Sequence, residues 1–300
     1  MAALDMIADR QAGWSVTANK LKAGMDRARW AVFGFSVLGA LLAAIASQWT
    51  NPPGAAVSGV NDPRTWIAIV GALSLATATF FTQRLLGKER VSAWVRARAI
   101  SEALKREAYK YAADAAPYDQ PATADALLAS ERKKIEDDGD DLLPDYVTNA
   151  GAGSVPRKKL PQDEYKTRRV DAQINFYRTR ATSYQGMVKV LRRTEFCLAL
   201  AATLITALAS VTGKATHLFG YSFDIAALTA VLTTIAGAVL AHVEASRFDY
   251  LATVYLSTAR RLEDRKTGPA PIWSDFVKDC ESILETENTA WIAKWSKAPT

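Results

Sequence analysis

Chemistry that needs several convergent nitrogen or sulfur ligands has little to draw on here, because the 300 residues hold two histidines and two cysteines. A catalytic zinc site takes three protein ligands, and His217 and His242 do not supply them. His242-Val-Glu244 has the H-x-E spacing in which a deaminase pairs a zinc-bound histidine with a proton-shuttling glutamate. No P-C-x-x-C follows to complete that metal site. Cys197 and Cys280 cannot form a disulfide framework and read as inert, small hydrophobes. The run Glu136-Asp-Asp-Gly-Asp-Asp141 is acidic enough to attract a divalent cation. It lacks EF-hand spacing and the closing bidentate glutamate, so a solvated acidic turn is the expectation. No G-x-x-x-x-G-K-[ST] occurs, and Gly151-Ala-Gly153 has neither a strand before it nor a helix after it to make a dinucleotide loop. No catalytic residue, metal or cofactor is expected, and the chain is expected not to be an enzyme.

The elements that would position such residues explain the deficit. Four windows carry no Asp, Glu, Lys or Arg: Trp30 to Trp49, Thr65 to Gln83, Phe196 to Gly213 and Ile225 to Val243, of 20, 19, 18 and 19 residues. About 20 apolar residues in a helix cross the ~30 Å hydrocarbon core, and buried soluble helices rarely stay uncharged for so long. The expected fold is therefore all-α, an integral membrane protein with four transmembrane helices in two parallel two-helix hairpins. A simple soluble enzyme is excluded. The mean hydropathy of -0.03 averages these windows with strongly polar sequence. Trp30 and Trp49 lie roughly 28 Å apart along a helix, which places an indole at each interface. Trp66 anchors the second span in the same way. Residues 1 to 29 contain eight charges and no apolar core of a signal peptide.

Charge sets the orientation. Within 18 residues of the span ends, 17 Lys and Arg fall on one side and two, Arg64 and Lys214, on the other. The positive-inside rule makes the rich side cytoplasmic, so the expected location is the cell (inner) membrane, multi-pass, with both termini cytoplasmic. The net charge of +6 follows from the same asymmetry. Arg27, Arg29, Arg84, Lys88, Arg90, Arg192 and Arg193 sit beside the membrane, where anionic headgroups attract each by about 1 kcal/mol. Membrane lipids are thus the expected partner, and nucleic acid is not.

Around the spans the chain repeats one pattern: polar helix, span, short hairpin, span, polar helix. Leu4, Ile7, Gln11, Trp14, Ala18, Leu21 and Met25 step by three and four, as do Val170, Ile174, Tyr177, Ala181, Tyr184, Val188 and Leu191. Trp94 to Tyr111 and Phe248 to Leu262 continue the stripe after each second span. Such stripes suit a coiled-coil-like seam and subunit contacts. Because both hairpins point the same way, the repeat is parallel, unlike inverted-topology transporters. Residues 1–113 and 163–300 read as two domains. Residues 114–162, with five prolines and three glycines, read as a partly disordered linker holding a short helix from Ala122 to Lys134. Ser274 is placed to cap a last amphipathic helix carrying Trp273, Trp291 and Trp295. That helix either docks on the other polar helices or lies in the headgroups.

The run Trp94-Val-Arg-Ala-Arg98-Ala-Ile-Ser-Glu102-Ala-Leu104-Lys-Arg-Glu107-Ala-Tyr109, directly after a pair of spans, resembles the post-membrane helix of SLATT domains. Those are the two-transmembrane effector domains found beside SMODS nucleotidyltransferases and SLOG sensors in bacterial conflict systems. Tyr177-Arg-Thr-Arg180, Ala259-Arg260-Arg-Leu262-Glu263 and the ending Phe276 to Trp291 are similar to the same family, so the chain resembles a tandem SLATT protein. The resemblance implies a pore-forming effector in antiphage defence, switched on by a nucleotide second messenger or a partner-encoded sensor, since this chain has no cyclase of its own.

Within the spans, hydroxyl and small residues are frequent, which suits close helix packing or a pore lining. No acidic or basic residue lies mid-span, against proton-coupled transport or voltage sensing. Four packed helices leave no lumen, so a pore requires a homo-oligomer, with a tetramer as the working number. If one forms, Thr229, Thr233 and Gly237 of the fourth span line a cation path, with Glu244 as a carboxylate ring at its inner mouth. A small transporter and a membrane scaffold recruiting cytoplasmic partners remain the alternatives.

Overall fold

A computed structural model describes residues 2–48, 62–148, 150–151, 153–212, 215–218, 221–269 and 272–296. Helix α1 (Ala2–Gln48) runs without a proline from a polar half into an apolar half. Helix α2 (Pro63–Leu85) starts where Asp62 accepts the Arg64 N–H at 2.9 Å and Pro63 supplies a preset first-turn backbone. Then come α3 (Lys88–Ala112), α4 (Pro121–Asp137), a 3₁₀ turn (Asp140–Asp145), a single turn α5 (Gln162–Tyr165) and a π-helical turn (Lys166–Asp171). The second half consists of α6 (Ala172–Thr212), strands β1 (Ala215–Leu218) and β2 (Tyr221–Asp224), α7 (Ile225–Ser246), α8 (Phe248–Thr267) and α9 (Trp273–Ser296). The architecture is all-α apart from that antiparallel hairpin, which pairs Ala215 with Asp224 through Leu218 with Tyr221. The hairpin was not foreseen.

Among the described residues, four helices are long and apolar enough to cross a membrane, and their most apolar windows are only 17%, 17%, 6% and 28% buried within the chain. Leu204, Phe196 and Leu73 are each more than 60% exposed. In water that much uncovered leucine and phenylalanine would be strongly unfavourable, whereas lipid covers it at no cost. The chain is a multi-pass membrane protein. Helix α2, with 23 residues, is about 34 Å long, enough for the hydrocarbon core.

The chain divides into two compact units, neither of which matches a sequence half. The apolar unit comprises Asp26–Gly87 and Gln185–Phe248. There α1 and α2 meet at glycines: a Cβ on Gly39 would lie 2.7 Å from Leu75 Cδ2, and one on Gly71 would lie 3.2 Å from Leu42 Cβ. Small residues at that crossing allow the backbones to approach, which is what drives helix association in lipid. Helices α6 and α7 share a Thr206–Thr229 hydroxyl contact of 3.2 Å. The His242 ring is nearly covered, its centroid 4.6 Å from that of Trp30.

The polar unit comprises Met1–Met25, Lys88–Tyr184 and Asp249–Thr300. Its core is built from the expected stripes: Leu4, Ile7, Trp14, Leu104, Val170 and Leu262 are at most 1% exposed. Helix α9 docks here, with Trp291 and Trp295 ring centroids 4.8 and 5.0 Å from that of Trp94. Ser274 does not cap α9. The helix starts one residue earlier, and the Ser274 hydroxyl accepts the Ala116 N–H at 2.9 Å.

Residues 114–162 are part of this unit. Helix α4 spans Pro121–Asp137, with Leu128 fully buried, and the Leu160 N–H donates to the Ala112 carbonyl at 2.7 Å. The prolines start and stop short elements here, while Leu128, Leu142, Val155 and Leu160 are buried enough to offset the entropy of ordering them. At the end of α3, Asp114 takes a positive φ of 50°, and the Ala115 and Asp114 N–H groups bond back to Lys110 and Tyr111. That 6→1 and 5→2 pattern is a Schellman stop.

Candidate functional site

In α7 the residues expected to line a pore occupy the side turned away from the rest of the apolar unit. Thr233, Gly237 and Glu244 are exposed, and a Cβ built on Gly237 would have nothing within 4 Å. Thr229 is half-buried through its contact with Thr206. Thr233 donates its hydroxyl to the Thr229 carbonyl at 2.8 Å, as Thr234 does to Ala230, so these side chains are satisfied by their own helix. His242 is buried among aromatic rings while Glu244 is exposed, so the H-x-E pair does not converge. Of the aromatic anchors, Trp30 and Trp66 are 52% and 54% exposed, as belt residues are expected to be. Trp49 lies outside the described residues.

The acidic run resolves into separate contacts. Glu136 is buried; it accepts the Trp14 indole N–H at 3.1 Å and Arg132 at 2.8 Å, and also pairs with Arg10. Arg96 takes Asp141 and the Asp138 carbonyl. Among the described residues, no three His, Cys, Asp or Glu side chains are grouped to hold a metal ion. Cys197 is exposed on α6, at the start of the third candidate span, whereas Cys280 is buried. Burial pushes the Cys280 thiol up to about 12, so it stays protonated and unreactive.

One concavity is not anticipated by the sequence reading. A cavity of about 290 Å³ lies inside the polar unit, close to the lower end of ligand-cleft sizes near 300 Å³. Helix α1 contributes Lys22, α3 contributes Arg98, Glu102 and Lys105, and the π turn contributes Arg169. Helix α6 adds Phe176, Arg180 and Tyr184, α8 adds Tyr255, and α9 adds Glu287 and Asn288.

One wall is locked by a buried ion pair. Arg169 donates Nε and Nη2 to the two oxygens of Glu281 at 2.9 and 2.7 Å, and the Tyr165 hydroxyl donates to the same carboxylate at 2.9 Å. The guanidinium also lies 4.5 Å from the Tyr109 ring centroid. Arg169 is 2% exposed, and its Nη1 has no hydrogen-bond partner.

The remaining charges are tuned by one another. Burial alone would raise the Glu102 carboxyl, but Lys105, Arg98 and Arg169 outweigh it and hold it below its ordinary range. Burial lowers the Lys105 ammonium, Arg169 and Arg98 add to that, and Glu102 opposes it without prevailing. Burial raises Glu287 despite Arg98, and Glu102 reinforces that rise. Glu287 accepts the Tyr177 hydroxyl at 3.2 Å on Oε2, while its Oε1 is buried without a hydrogen bond. A signal for this site does exist in the sequence. Glu281 and Glu287 interrupt the apolar stripe of α9 where Val277, Cys280, Leu284 and Trp291 require burial.

Residues 165–291 match the family model described as SMODS and SLOG-associating 2TM effector domain 1. Residues 12–126 match a model described as a protein of unknown function, DUF4231. No curated protein and no solved structure matches the chain. The SLATT match runs from Tyr165 through α6 and α7 to Trp291, and so takes in two of the candidate spans together with the α9 wall of the cavity. The chain is therefore a multi-pass membrane protein whose residues 165–291 are similar to the SLATT effector domain and whose residues 12–126 are similar to DUF4231.

Proposed function

We propose that the protein is a pore-forming membrane effector of a bacterial conflict or antiphage system. In this reading it assembles as a homo-oligomer, a tetramer in the working version, and opens a cation path across the cell membrane. Both termini and the polar unit are cytoplasmic, and a partner supplies the trigger, either a nucleotide second messenger or a sensor protein. The observation that carries the reading is the SLATT match over α6 and α7 together with the open α7 face of Thr233, Gly237 and Glu244. A face of small residues and hydroxyls, left uncovered within one chain and ending in a carboxylate, suits a ring of α7 helices around a narrow cation path. Helices α1 and α6 each carry cavity residues and candidate span residues on one continuous helix, a direct covalent route for a signal.

Flux of monovalent cations from liposomes containing the purified protein tests the reading. Glu244→Gln should lower cation conductance or selectivity while leaving the assembly intact on native gels. A Thr233→Cys channel, made in a Cys197→Ser background because Cys197 is exposed, should be blocked by a thiol reagent. Unchanged conductance and no block would move the path to another helix. Saturable, substrate-specific flux would make the protein a transporter, and no flux with the trigger present would favour a scaffold.

A further inference from the structure

We infer that Glu287 makes the docking of α9 a proton-dependent latch, tight while its carboxyl carries a proton and loosened as it ionises. The inference concerns the polar unit alone and goes beyond the pore reading, because it holds whether or not the spans conduct. Helix α9 carries two buried carboxyl groups with different surroundings: Glu281 is 0% exposed and Glu287 5%. Glu281 takes two Arg169 bonds and the Tyr165 hydroxyl, so its charge is answered on both oxygens. Glu287 accepts one bond, from the neutral Tyr177 hydroxyl to Oε2 at 3.2 Å. Its Oε1 is sealed without a hydrogen bond, and Arg98 Nη2 stands 4.0 Å away, beyond bonding range. A buried carboxylate is tolerated when its oxygens are hydrogen-bonded and well paired, whereas the neutral acid needs far less. Glu281 meets that condition and Glu287 does not.

Arg98 couples that charge to the helix contact. Its guanidinium lies 4.0 Å from the Trp291 ring centroid, and Trp291 packs on Trp94 at 4.8 Å. An ionised Glu287 draws Arg98 off the Trp291 ring, or stays poorly paired if Arg98 does not move. Either outcome weakens α9 against α3.

The other charges nearby do not relieve it. Glu102 of α3 is a second anion acting on Glu287, and it offsets Arg98. Lys105 of α3 is engaged by Glu102, and Arg169 of the π turn by Glu281. Tyr177 of α6 and Tyr255 of α8 are neutral hydroxyls. Lys22 of α1 and Arg180 of α6 line the same cavity but are exposed, so water and salt screen them. Burial raises the Glu287 carboxyl against Arg98, and Glu102 reinforces the rise over the Tyr177 bond. A carboxyl raised on docking contributes its stabilisation below the ordinary glutamate range and loses it as pH climbs through the docked value. Acidification therefore tightens α9 and a rise in pH loosens it. The polar unit thereby responds to the proton concentration of the compartment that bathes it.

Cys280 is a native reporter, because it sits on α9 at 0% exposure and meets a reagent only when the helix opens. In a Cys197→Ser parent it is the single thiol of the chain. The full chain in phosphatidylcholine nanodiscs is labelled with dithiodipyridine, which reacts in acid as well as at neutral pH. Thiol ionisation affects every variant alike, so the parent's rate is read against that of Glu287→Gln, the uncharged isostere, at the same pH. The parent to Glu287→Gln ratio should stay within about two-fold of unity at about pH 4.5 and reach at least about three-fold at about pH 8. Tyr177→Phe removes the one bond that favours the ionised carboxyl. It should raise labelling over the parent at the higher pH and change it less than about two-fold at the lower. A parent to Glu287→Gln ratio that is constant with pH, or that falls as pH rises, overturns the proposal. Should Glu287→Gln fail to fold, the Tyr177→Phe to parent ratio carries the same test, and equal values at both pH settings overturn it.

Discussion

Glu281 has its carboxylate in a site with no access to water, where Arg169 and Tyr165 are the groups that make its charge tolerable. Removing one member of such a pair strands the other, which typically costs about 3–5 kcal/mol, whereas an apolar pair of similar volume is often neutral or better. Glu281→Ala should therefore lower the unfolding free energy of the purified protein by about that amount. The double change Arg169→Met with Glu281→Leu should restore most of the loss in the same denaturation assay. A single Glu281→Ala loss below about 1 kcal/mol would mean that water reaches the pair. Glu107 adds a pH dependence. Burial would raise its carboxyl, but Lys110, the Tyr118 hydroxyl and Arg106 together hold it below the ordinary range. A carboxyl lowered on folding adds stability above its unfolded pKa and loses it as pH falls through the folded value. Glu107→Gln should thus lower the melting temperature at neutral pH, and the gap to wild type should close on acidification. A gap constant with pH would assign the effect to packing.

At the scale of helices, the two glycine environments make opposite predictions from one chemistry. Gly39 and Gly71 bring α1 and α2 into backbone contact, so Gly39→Leu must push the pair apart, and overpacking of this kind costs about 1–3 kcal/mol. A Cβ at Gly237 has nothing within 4 Å, so Gly237→Ala should not lower the stability of the monomer. Thermal melts in detergent compare the two directly, and equal losses would refute the assignment of Gly39 to a helix–helix contact. The helices themselves were largely legible. The three-and-four stripes through Trp14, Leu104, Val170 and Leu262 matched the buried core because helical geometry repeats along the sequence. Residues 114–162 were not legible, because proline and glycine content reports only local preference. The burial of Leu128 depends on the packing of α4 against α3, which local preference does not report. The cavity was not read from the sequence, for a related reason. Arg98, Lys105 and Arg169 each look like surface cations on their own helix, and only the packing of six elements turns them toward one space. The small-residue face of α7 could be read directly, although sequence alone left open whether it was covered within the chain.

For the molecule as a whole, the strongest force on orientation is the distribution of cations at the span ends. Seventeen Lys and Arg within 18 residues of the spans lie on one side and two on the other. Each basic residue near an anionic leaflet is worth about 1 kcal/mol, and translocating such a cluster against the membrane potential is opposed further. Arg64, in the first turn of α2, and Lys214 are the two cations that would have to flank the opposite surface. The expected arrangement places both termini and the α2–α3 junction, with Arg84, Lys88 and Arg90, in the cytoplasm. A periplasm-active phosphatase fused after Thr300 should be inactive, and the same fusion with a cytoplasm-active reporter should be active. Lys214→Cys in the Cys197→Ser background should react in intact cells with an impermeant maleimide, and Lys88→Cys should react only after the cells are opened. Labelling of Lys88→Cys in intact cells, or phosphatase activity at the C-terminus, would invert the topology. Under the proposed function, inversion would put Glu244 at the outer mouth of the α7 path and turn the polar unit away from any cytoplasmic trigger. The orientation assay thus tests the premise on which gating by an internal signal depends.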